Sequence, residues 1–119
     1  MRNNRQAARV QLAALSHLFG LPVPDLSWVD ENHATYHPNT KSITLPIRSG
    51  RARNWETRIV HEFAHYLAHS RAGKPMRHKP EFCEALWEVA EVWYGAARKY
   101  PWDTDFKMVA RYAQRWLKA

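Results

Sequence analysis

Apolar residues recur at intervals of three and four positions along much of this chain, the spacing that predicts amphipathic α-helices. In the first such segment, Leu12, Leu15 and Phe19 share one face, and the glycine and proline that follow mark its end. In the last segment, Asp103 or Thr104 is expected to cap the helix, because short polar side chains satisfy the free N–H groups at a helix start. The predicted helices cover residues 5–19, 54–70, 80–99 and 103–117.

Between the first two helices the pattern changes and predicts a small β-hairpin. The run Ser42–Leu45 alternates polar and apolar residues, and Tyr36 lies on the other side of the turn-forming segment His37–Lys41. A chain of 119 residues has room for one hydrophobic core, and no change of composition marks a linker. We therefore expect an α+β fold dominated by helices, in a single domain covering residues 1–119.

The second predicted helix carries His61-Glu62-Phe63-Ala64-His65, the pattern HExxH. Residues four apart lie on one face of a helix, about 6 Å apart along its axis, so both imidazoles can converge on one metal ion. A zinc ion with three protein ligands leaves a position for water and lowers the pKa of that water to about 7. Glu62 projects beside the ion and is the predicted general base. The motif therefore predicts a zinc-dependent hydrolase, and a peptidase fits it best.

Such a site needs a third ligand. His69 continues the histidine series, but ligand nitrogens around one zinc lie about 3.3 Å apart, since zinc-to-nitrogen distances are about 2.0 Å. Three residues spread over about 12 Å of helix cannot all reach one ion. His78 is favoured because a segment with glycine and proline can turn the chain back before it, and a new helix begins at Pro80. Glu81 and Glu84 remain the alternative third ligands.

Two further roles concern the substrate. A strand beside the motif helix could hold an extended peptide through backbone hydrogen bonds at its exposed edge. Tyr36 and Tyr66 are the candidates for donating a hydrogen bond to the oxyanion that forms when water attacks a peptide carbonyl. The sequence does not choose between the two tyrosines.

Residues 61–65, followed after a short loop by His-Lys-Pro-Glu-Phe-Cys at residues 78–83, resemble the SprT-like metalloprotease domain, which includes the Spartan proteases. The family pattern is HExxH and then His-Gly-Pro-Glu-Phe, and the match covers about residues 35–95. The resemblance implies a zincin-like fold, with a small sheet before the HExxH helix, and Glu62 as the catalytic base. The zinc ligands that it implies are His61, His65 and His78.

The chain departs from the SprT-like pattern at two points. Lys79 stands where the family usually has glycine, and the single cysteine, Cys83, excludes the four-cysteine zinc ribbon of many members. Without that ribbon the chain is similar to small predicted metallohydrolases of actinobacteria and their phages. Residues 61–67 also resemble the motif helix of the ImmA/IrrE peptidases, which act on regulatory proteins and commonly use a downstream glutamate as third ligand. The acidic, alanine-rich segment that supplies that glutamate has no clear counterpart here.

Charge adds a second functional indication. Eighteen Lys and Arg against eleven Asp and Glu give a net charge of +7, which favours polyanionic partners. The last predicted helix carries a basic stripe, defined by Lys107, Arg111, Arg115 and Lys118. Two more basic clusters flank the candidate site: Arg48, Arg51, Arg53 and Arg58, and then Arg71, Lys74, Arg77 and Lys79. The penultimate helix carries an acidic stripe, formed by Glu81, Glu84, Glu88 and Glu91.

The expected partners are therefore a protein or peptide substrate and, through the basic stripe, DNA. A protease that works on DNA-bound proteins would reach them through phosphate contacts. The acidic stripe argues against a surface covered uniformly by nucleic acid. The alternative function is a non-catalytic basic module that recruits DNA or another partner and holds a structural zinc.

The chain shows no membrane or export signal. No apolar run approaches the roughly 20 residues needed to cross a bilayer, and no apolar block of a signal peptide follows Met1–Arg5. We expect a cytoplasmic location and no membrane partner. One cysteine forbids an internal disulfide and agrees with a reducing compartment, and Cys83 is predicted to be a small buried residue on its helix.

Overall fold

Four helices and a three-stranded sheet form the part of the chain that the computed structural model describes, residues 2–47 and 55–118. This confirms the predicted α+β class dominated by helices. The elements are, in order, helix α1 (Arg2–Leu18), strands β1 (Asp25–Val29), β2 (Thr35–His37) and β3 (Ser42–Pro46), helices α2 (Trp55–Ala72) and α3 (Pro80–Tyr94), two short 3-10 helices (Ala97–Lys99 and Trp102–Thr104) and helix α4 (Lys107–Lys118).

The sheet places a short edge strand next to the motif helix α2. Its order is β1-β3-β2, so that β3 lies in the centre, parallel to β1 and antiparallel to β2. The predicted hairpin is confirmed, because Tyr36 of β2 is paired with Ile43 of β3. The turn between them uses Lys41 in the left-handed region, with a φ of 51°. Strand β2 contacts α2, and its outer edge is not paired with another strand of the described chain.

Strand β1 was not predicted. Residues 25–28 do alternate polar and apolar, but the segment is only five residues long, and Leu26 and Trp28 are only half-buried. The strand forms by parallel pairing with β3, where Leu26 is opposite Ile43. No hairpin turn marks this pairing in the sequence, because a parallel pair needs a long connection rather than a tight turn.

Helix α2 lies at the centre of the core. Ile59, Val60, Phe63 and Ala64 are each 0% exposed, and the helix packs against α1, α3 and the sheet. The Phe63 ring lies 5.7 Å from that of Phe19, which completes the apolar face of α1. The motif helix is therefore held from several sides, which fixes the direction of its polar side chains.

The last two predicted helices were wrong at their boundaries. Helix α3 ends at Tyr94 rather than at residue 99, because Gly95 adopts the left-handed conformation with a φ of 80° and turns the chain away. Helix α4 begins at Lys107 rather than at Asp103. Asp103 and Thr104 instead belong to a 3-10 helix, where the Thr104 hydroxyl donates to the carbonyl of Pro101. Neither residue caps α4.

Smaller differences concern the first two helices. Helix α1 already begins at Arg2, and α2 continues to Ala72, after which Gly73 has a φ of 73°. Asn54 and three arginines of the predicted basic clusters lie outside the described residues, namely Arg48, Arg51 and Arg53. No helix in the described ranges combines the length and the apolar composition that crossing a bilayer requires.

Candidate metal centre

Three histidines meet beside the edge strand β2. Each of His61, His65 and His78 offers one ring nitrogen, and these atoms all lie within 4.8 Å of one another. The ring centroids form a nearly equilateral triangle with sides of 5.1, 5.2 and 5.0 Å. The Nε2 atoms of His61 and His78 are 3.2 Å apart, close to the roughly 3.3 Å expected for two nitrogens bound to one zinc. The three histidines therefore lie close enough to bind one metal ion.

Hydrogen bonds on the far side of two rings set their orientation. His65 Nδ1 lies 3.0 Å from the backbone oxygen of Met76, and since a carbonyl can only accept, this nitrogen carries the proton. His61 Nδ1 lies 2.9 Å from the Oδ2 atom of Asp105, which is also an acceptor. Nδ1 of both rings is thus engaged on the side away from the triangle, which leaves Nε2 as the nitrogen available to a metal, and in His61 that atom lies 3.2 Å from Nε2 of His78. This is the arrangement in which a histidine presents its Nε2 lone pair to a metal.

The loop between α2 and α3 brings His78 to the other two histidines. Gly73 ends α2, and a tight turn from Arg77 to Lys79 sets the start of α3 at Pro80. Pro80 suits that position because the first N–H groups of a helix have no partner within the helix. The chain reversal that was predicted from glycine and proline is therefore present, and it carries His78 back to the motif helix.

Two phenylalanines enclose the histidines. Phe82 is fully buried and stacks on the His65 ring, with centroids 4.0 Å apart. Phe106 covers the opposite side, 4.2 Å from the His78 ring, but is itself 58% exposed. Phe82 thus bounds the site on its buried side, and Phe106 bounds it on its solvent-exposed side. Phe106 was not predicted as a site residue, since nothing in its sequence neighbourhood marks it.

Asp105 forms a hydrogen bond with Nδ1 of His61, on the side of the ring away from the other two histidines, and Tyr100 forms one with Asp105. The Oδ2 atom of Asp105 accepts hydrogen bonds from His61 Nδ1 at 2.9 Å and from the Tyr100 hydroxyl at 2.5 Å, and Oδ1 accepts the Phe106 N–H at 2.7 Å. Tyr100 is 4% exposed. Sequence reasoning missed both residues because they lie about forty positions from His61 and only the folded chain joins them.

The contacts of His61, Asp105 and Tyr100 determine the protonation of these three groups. Burial alone would lower the pKa of His61, but the hydrogen bond to Asp105 and the charges of Glu62 and Asp105 outweigh it and raise the pKa. Burial alone would raise the pKa of Asp105, but the hydrogen bonds from His61, Tyr100 and the Phe106 N–H outweigh it and lower the pKa. Burial, followed by the charge and hydrogen bond of Asp105, raises the pKa of Tyr100. Asp105 is therefore ionised and Tyr100 remains a donor.

The pKa values of His65 and His78 are lowered rather than raised. Burial, and then the charge of His61, lowers the pKa of His65 to about 3. The same two causes lower the pKa of His78. Both rings are therefore neutral at pH 7, as metal ligands must be.

Glu62 lies beside the three histidines. It is 7% exposed, and its Oε2 atom is 4.0 Å from His61 Nε2. Burial raises the pKa of Glu62 to about 7, against the opposing effects of the His61 charge, a backbone hydrogen bond from Tyr36 and the charge of Arg58. The carboxylate is thus next to the metal centre without belonging to the ligand triangle.

The remaining sequence candidates lie elsewhere. His69 is absent from the triangle, and its Nδ1 atom is 2.8 Å from the Tyr36 hydroxyl. The Tyr66 hydroxyl donates to the carbonyl of Pro22 at 2.7 Å. Both tyrosine hydroxyls are thus engaged within the protein, and of the two only Tyr36 is among the residues that line the cavity with the three histidines. The alternative ligands are exposed and do not join the triangle: Glu81 and Glu84.

Two cavities meet at the centre and share Ala34, His61, Glu62 and Phe106 in their walls. The smaller, of about 350 Å³, lies along strand β2 and also contains His65 and His78. The larger, of about 610 Å³, extends in the other direction, past Arg58. The candidate ligands and Glu62 therefore lie in a cleft that continues on both sides of them.

Comparisons of this chain with protein-family models, characterised proteins and solved structures find no match. The SprT-like and ImmA/IrrE resemblances therefore stay predictions from the motif residues. The chemistry of the site is argued below from its own geometry.

Proposed function

We propose that this protein is a zinc-dependent metallopeptidase in which His61, His65 and His78 hold Zn²⁺ and Glu62 is the general base. The observation that carries the proposal is the convergence of three imidazole nitrogens within 4.8 Å, beside a buried carboxylate. Three imidazoles are a ligand set that suits zinc, and three protein ligands leave a fourth position open. A zinc ion held there would polarise a bound water and a peptide carbonyl.

Glu62 is placed to accept the proton of the attacking water. Glu62 is 7% exposed, and its carboxylate lies 4.0 Å from His61 Nε2. A general base must reach the proton that it removes, and this position allows that without making Glu62 a ligand. The unpaired edge of β2 runs along the same cleft and can hold an extended peptide through backbone hydrogen bonds.

The position of His78 supports the SprT-like assignment over the ImmA/IrrE alternative. The SprT-like pattern expects a downstream histidine as third ligand, and His78 joins His61 and His65 in the triangle. The ImmA/IrrE pattern expects a glutamate, but Glu81 and Glu84 point to exposed surface.

The first test is the metal content of the purified protein, measured by inductively coupled plasma mass spectrometry. We expect about one zinc per chain in the wild type and a strong loss in His65→Ala and in His78→Ala. His69→Ala is the matched control, since it removes a histidine of the same helix and should keep the metal. A wild-type protein without metal would overturn the proposal.

The second test separates binding from catalysis. Glu62→Gln should keep the zinc and lose cleavage of an unfolded protein substrate, because the amide cannot accept the proton of water. Turnover in Glu62→Gln equal to that of the wild type would refute the role of this residue.

A second candidate function, a non-catalytic module that recruits DNA around a structural zinc, is favoured by one observation. All four cations of the basic stripe are solvent-exposed on α4, namely Lys107, Arg111, Arg115 and Lys118. The neighbouring basic cluster is weaker than predicted, because Arg71 forms a two-pronged salt bridge with Glu88 at 2.6 and 2.9 Å. This function predicts DNA binding that weakens steeply with salt, survives removal of the metal and is lost when the four stripe residues are changed to Gln. Metal-dependent proteolysis would reject the non-catalytic version.

A further inference from the structure

We propose that the larger cavity is a subsite for an acidic side chain of the substrate and that Arg58 recognises its carboxylate. This inference rests on the proposed peptidase function and adds the class of substrate. Arg58 lies four residues before Glu62 on α2, so that the two side chains leave the same face of the helix. Both line the cavity of about 610 Å³.

The first argument is that Arg58 has no acidic partner in the described ranges, residues 2–47 and 55–118. None of its nitrogens lies within 4.0 Å of a described carboxylate, although its charge acts on Glu62. The other carboxylate in the cavity wall is Asp105, which already accepts hydrogen bonds from His61, Tyr100 and the Phe106 N–H. A half-buried guanidinium beside a cavity, with its donors unused by these acids, can bind a ligand carboxylate.

The second argument concerns the two threonines of the cavity wall. The Thr57 hydroxyl is 3.4 Å from the Tyr94 hydroxyl, and the Thr104 hydroxyl donates to the Pro101 carbonyl. Both threonines are therefore engaged within the protein. The rest of the wall includes Ala34 and Phe106, which provide apolar surface for the methylene groups of a ligand side chain.

The third argument is one of chemistry. Guanidinium binds a carboxylate through two parallel hydrogen bonds, which are stronger than those between neutral groups. The cavity adjoins the ligand triangle through His61 and Glu62, so a side chain bound there belongs to a residue next to the cleaved bond. If Arg58 only balanced the charge of Glu62, it would not discriminate between ligand side chains, and this difference can be measured.

The probes are short peptide hydroxamates that differ in one side chain next to the metal-binding group, which is Glu, Gln or Lys. Two series, with the hydroxamate at either end, cover both directions from the metal. Binding to the zinc-loaded protein is measured by isothermal titration calorimetry. We expect the Glu probe to bind about tenfold or more tighter than the Gln probe in one series, as charge-assisted hydrogen bonds imply. The Lys probe should bind weakest.

The variants assign the preference to one residue. Arg58→Gln should remove the preference for Glu over Gln, Arg58→Lys should keep part of it, and Arg58→Glu should favour the Lys probe. Arg98→Gln is the matched control, since Arg98 is exposed and lines neither cavity. Equal binding of Glu and Gln probes to the wild type, or a preference that survives Arg58→Gln, would overturn the subsite.

Acetohydroxamate, which has no side chain, distinguishes a failure of the subsite from a failure of the proposed metal site. If it binds the zinc-loaded protein and no probe series prefers Glu, the metal site stands and the subsite is wrong. If neither zinc nor acetohydroxamate binds, the proposed function itself is wrong and the subsite is rejected with it.

Discussion

Replacing Asp105 should weaken metal binding even though Asp105 is not a ligand. Its side chain is 3% exposed and holds His61 through the bond to Nδ1. In Asp105→Ala, the N–H of His61 and the O–H of Tyr100 lose their acceptor in a buried place, and the His61 ring is free to turn. We expect the zinc dissociation constant to rise about 10- to 100-fold, the usual effect of losing such a partner. That range corresponds to about 1.4–2.8 kcal/mol.

Asp105→Asn is the more informative variant because it preserves shape. The two carboxylate oxygens accept from His61, Tyr100 and the Phe106 N–H, whereas an asparagine has one oxygen and one NH₂ group. Whichever way the amide is turned, a donor faces a donor. We expect a weakening of about tenfold, at the lower end of the range for such partners. Tyr100→Phe removes one donor and leaves the bond to His61, so its effect should be smaller.

The dissociation constant is measured at pH 7.4 by competition with a chromophoric chelator. Asp103→Asn is the control, since Asp103 is exposed and only two residues away. The visible absorption spectrum of the cobalt-substituted protein gives a readout that a merely structural role would not change, because it reports the geometry of the ligand shell. Zinc binding by both Asp105→Ala and Asp105→Asn within twofold of the wild type would refute the reasoning.

Two further predictions concern the scaffold. Burial raises the pKa of the Cys83 thiol from its ordinary 9.0 to about 11. At pH 8 we therefore expect iodoacetamide to label it about one hundred times more slowly in the folded than in the urea-unfolded protein, because only the thiolate reacts. Equal labelling rates would contradict its burial. Gly95→Ala should lower the free energy of unfolding in urea by about 1–2 kcal/mol, because its φ of 80° is strained for any residue with a Cβ while no other group lies within 4 Å of that atom. Gly95→Asn should cost less, and an unchanged midpoint for Gly95→Ala would contradict this conformation.

Local patterns in the sequence were sufficient for much of the scaffold. The 3.6-residue periodicity predicted four helices, and a turn-rich segment between alternating residues predicted the hairpin of β2 and β3. The helix boundaries near Gly95 and Asp103 were less accurate, since short 3-10 turns carry weak sequence signals. Strand β1 was missed because its partner β3 lies beyond β2 in the sequence, so no hairpin turn marks their pairing.

The candidate metal site likewise combines features that the sequence predicted with features that only the folded structure shows. Spacing on one helix was enough to place His61 and His65 together, because the geometry of an α-helix is fixed by its backbone. His78 could be favoured from the chain reversal before Pro80, but its distance of 3.2 Å from His61 depends on how α3 packs against α2. Asp105 and Arg58 acquire their surroundings only when the segment before α4 folds over the motif helix. The sequence by itself determined that His61 and His65 can share one metal ion, since short-range spacing is a property of one element. It left the third ligand open among His78, Glu81 and Glu84. The tertiary structure alone decided which groups orient the ligands and which face the cleft, since those contacts join elements that are distant in sequence.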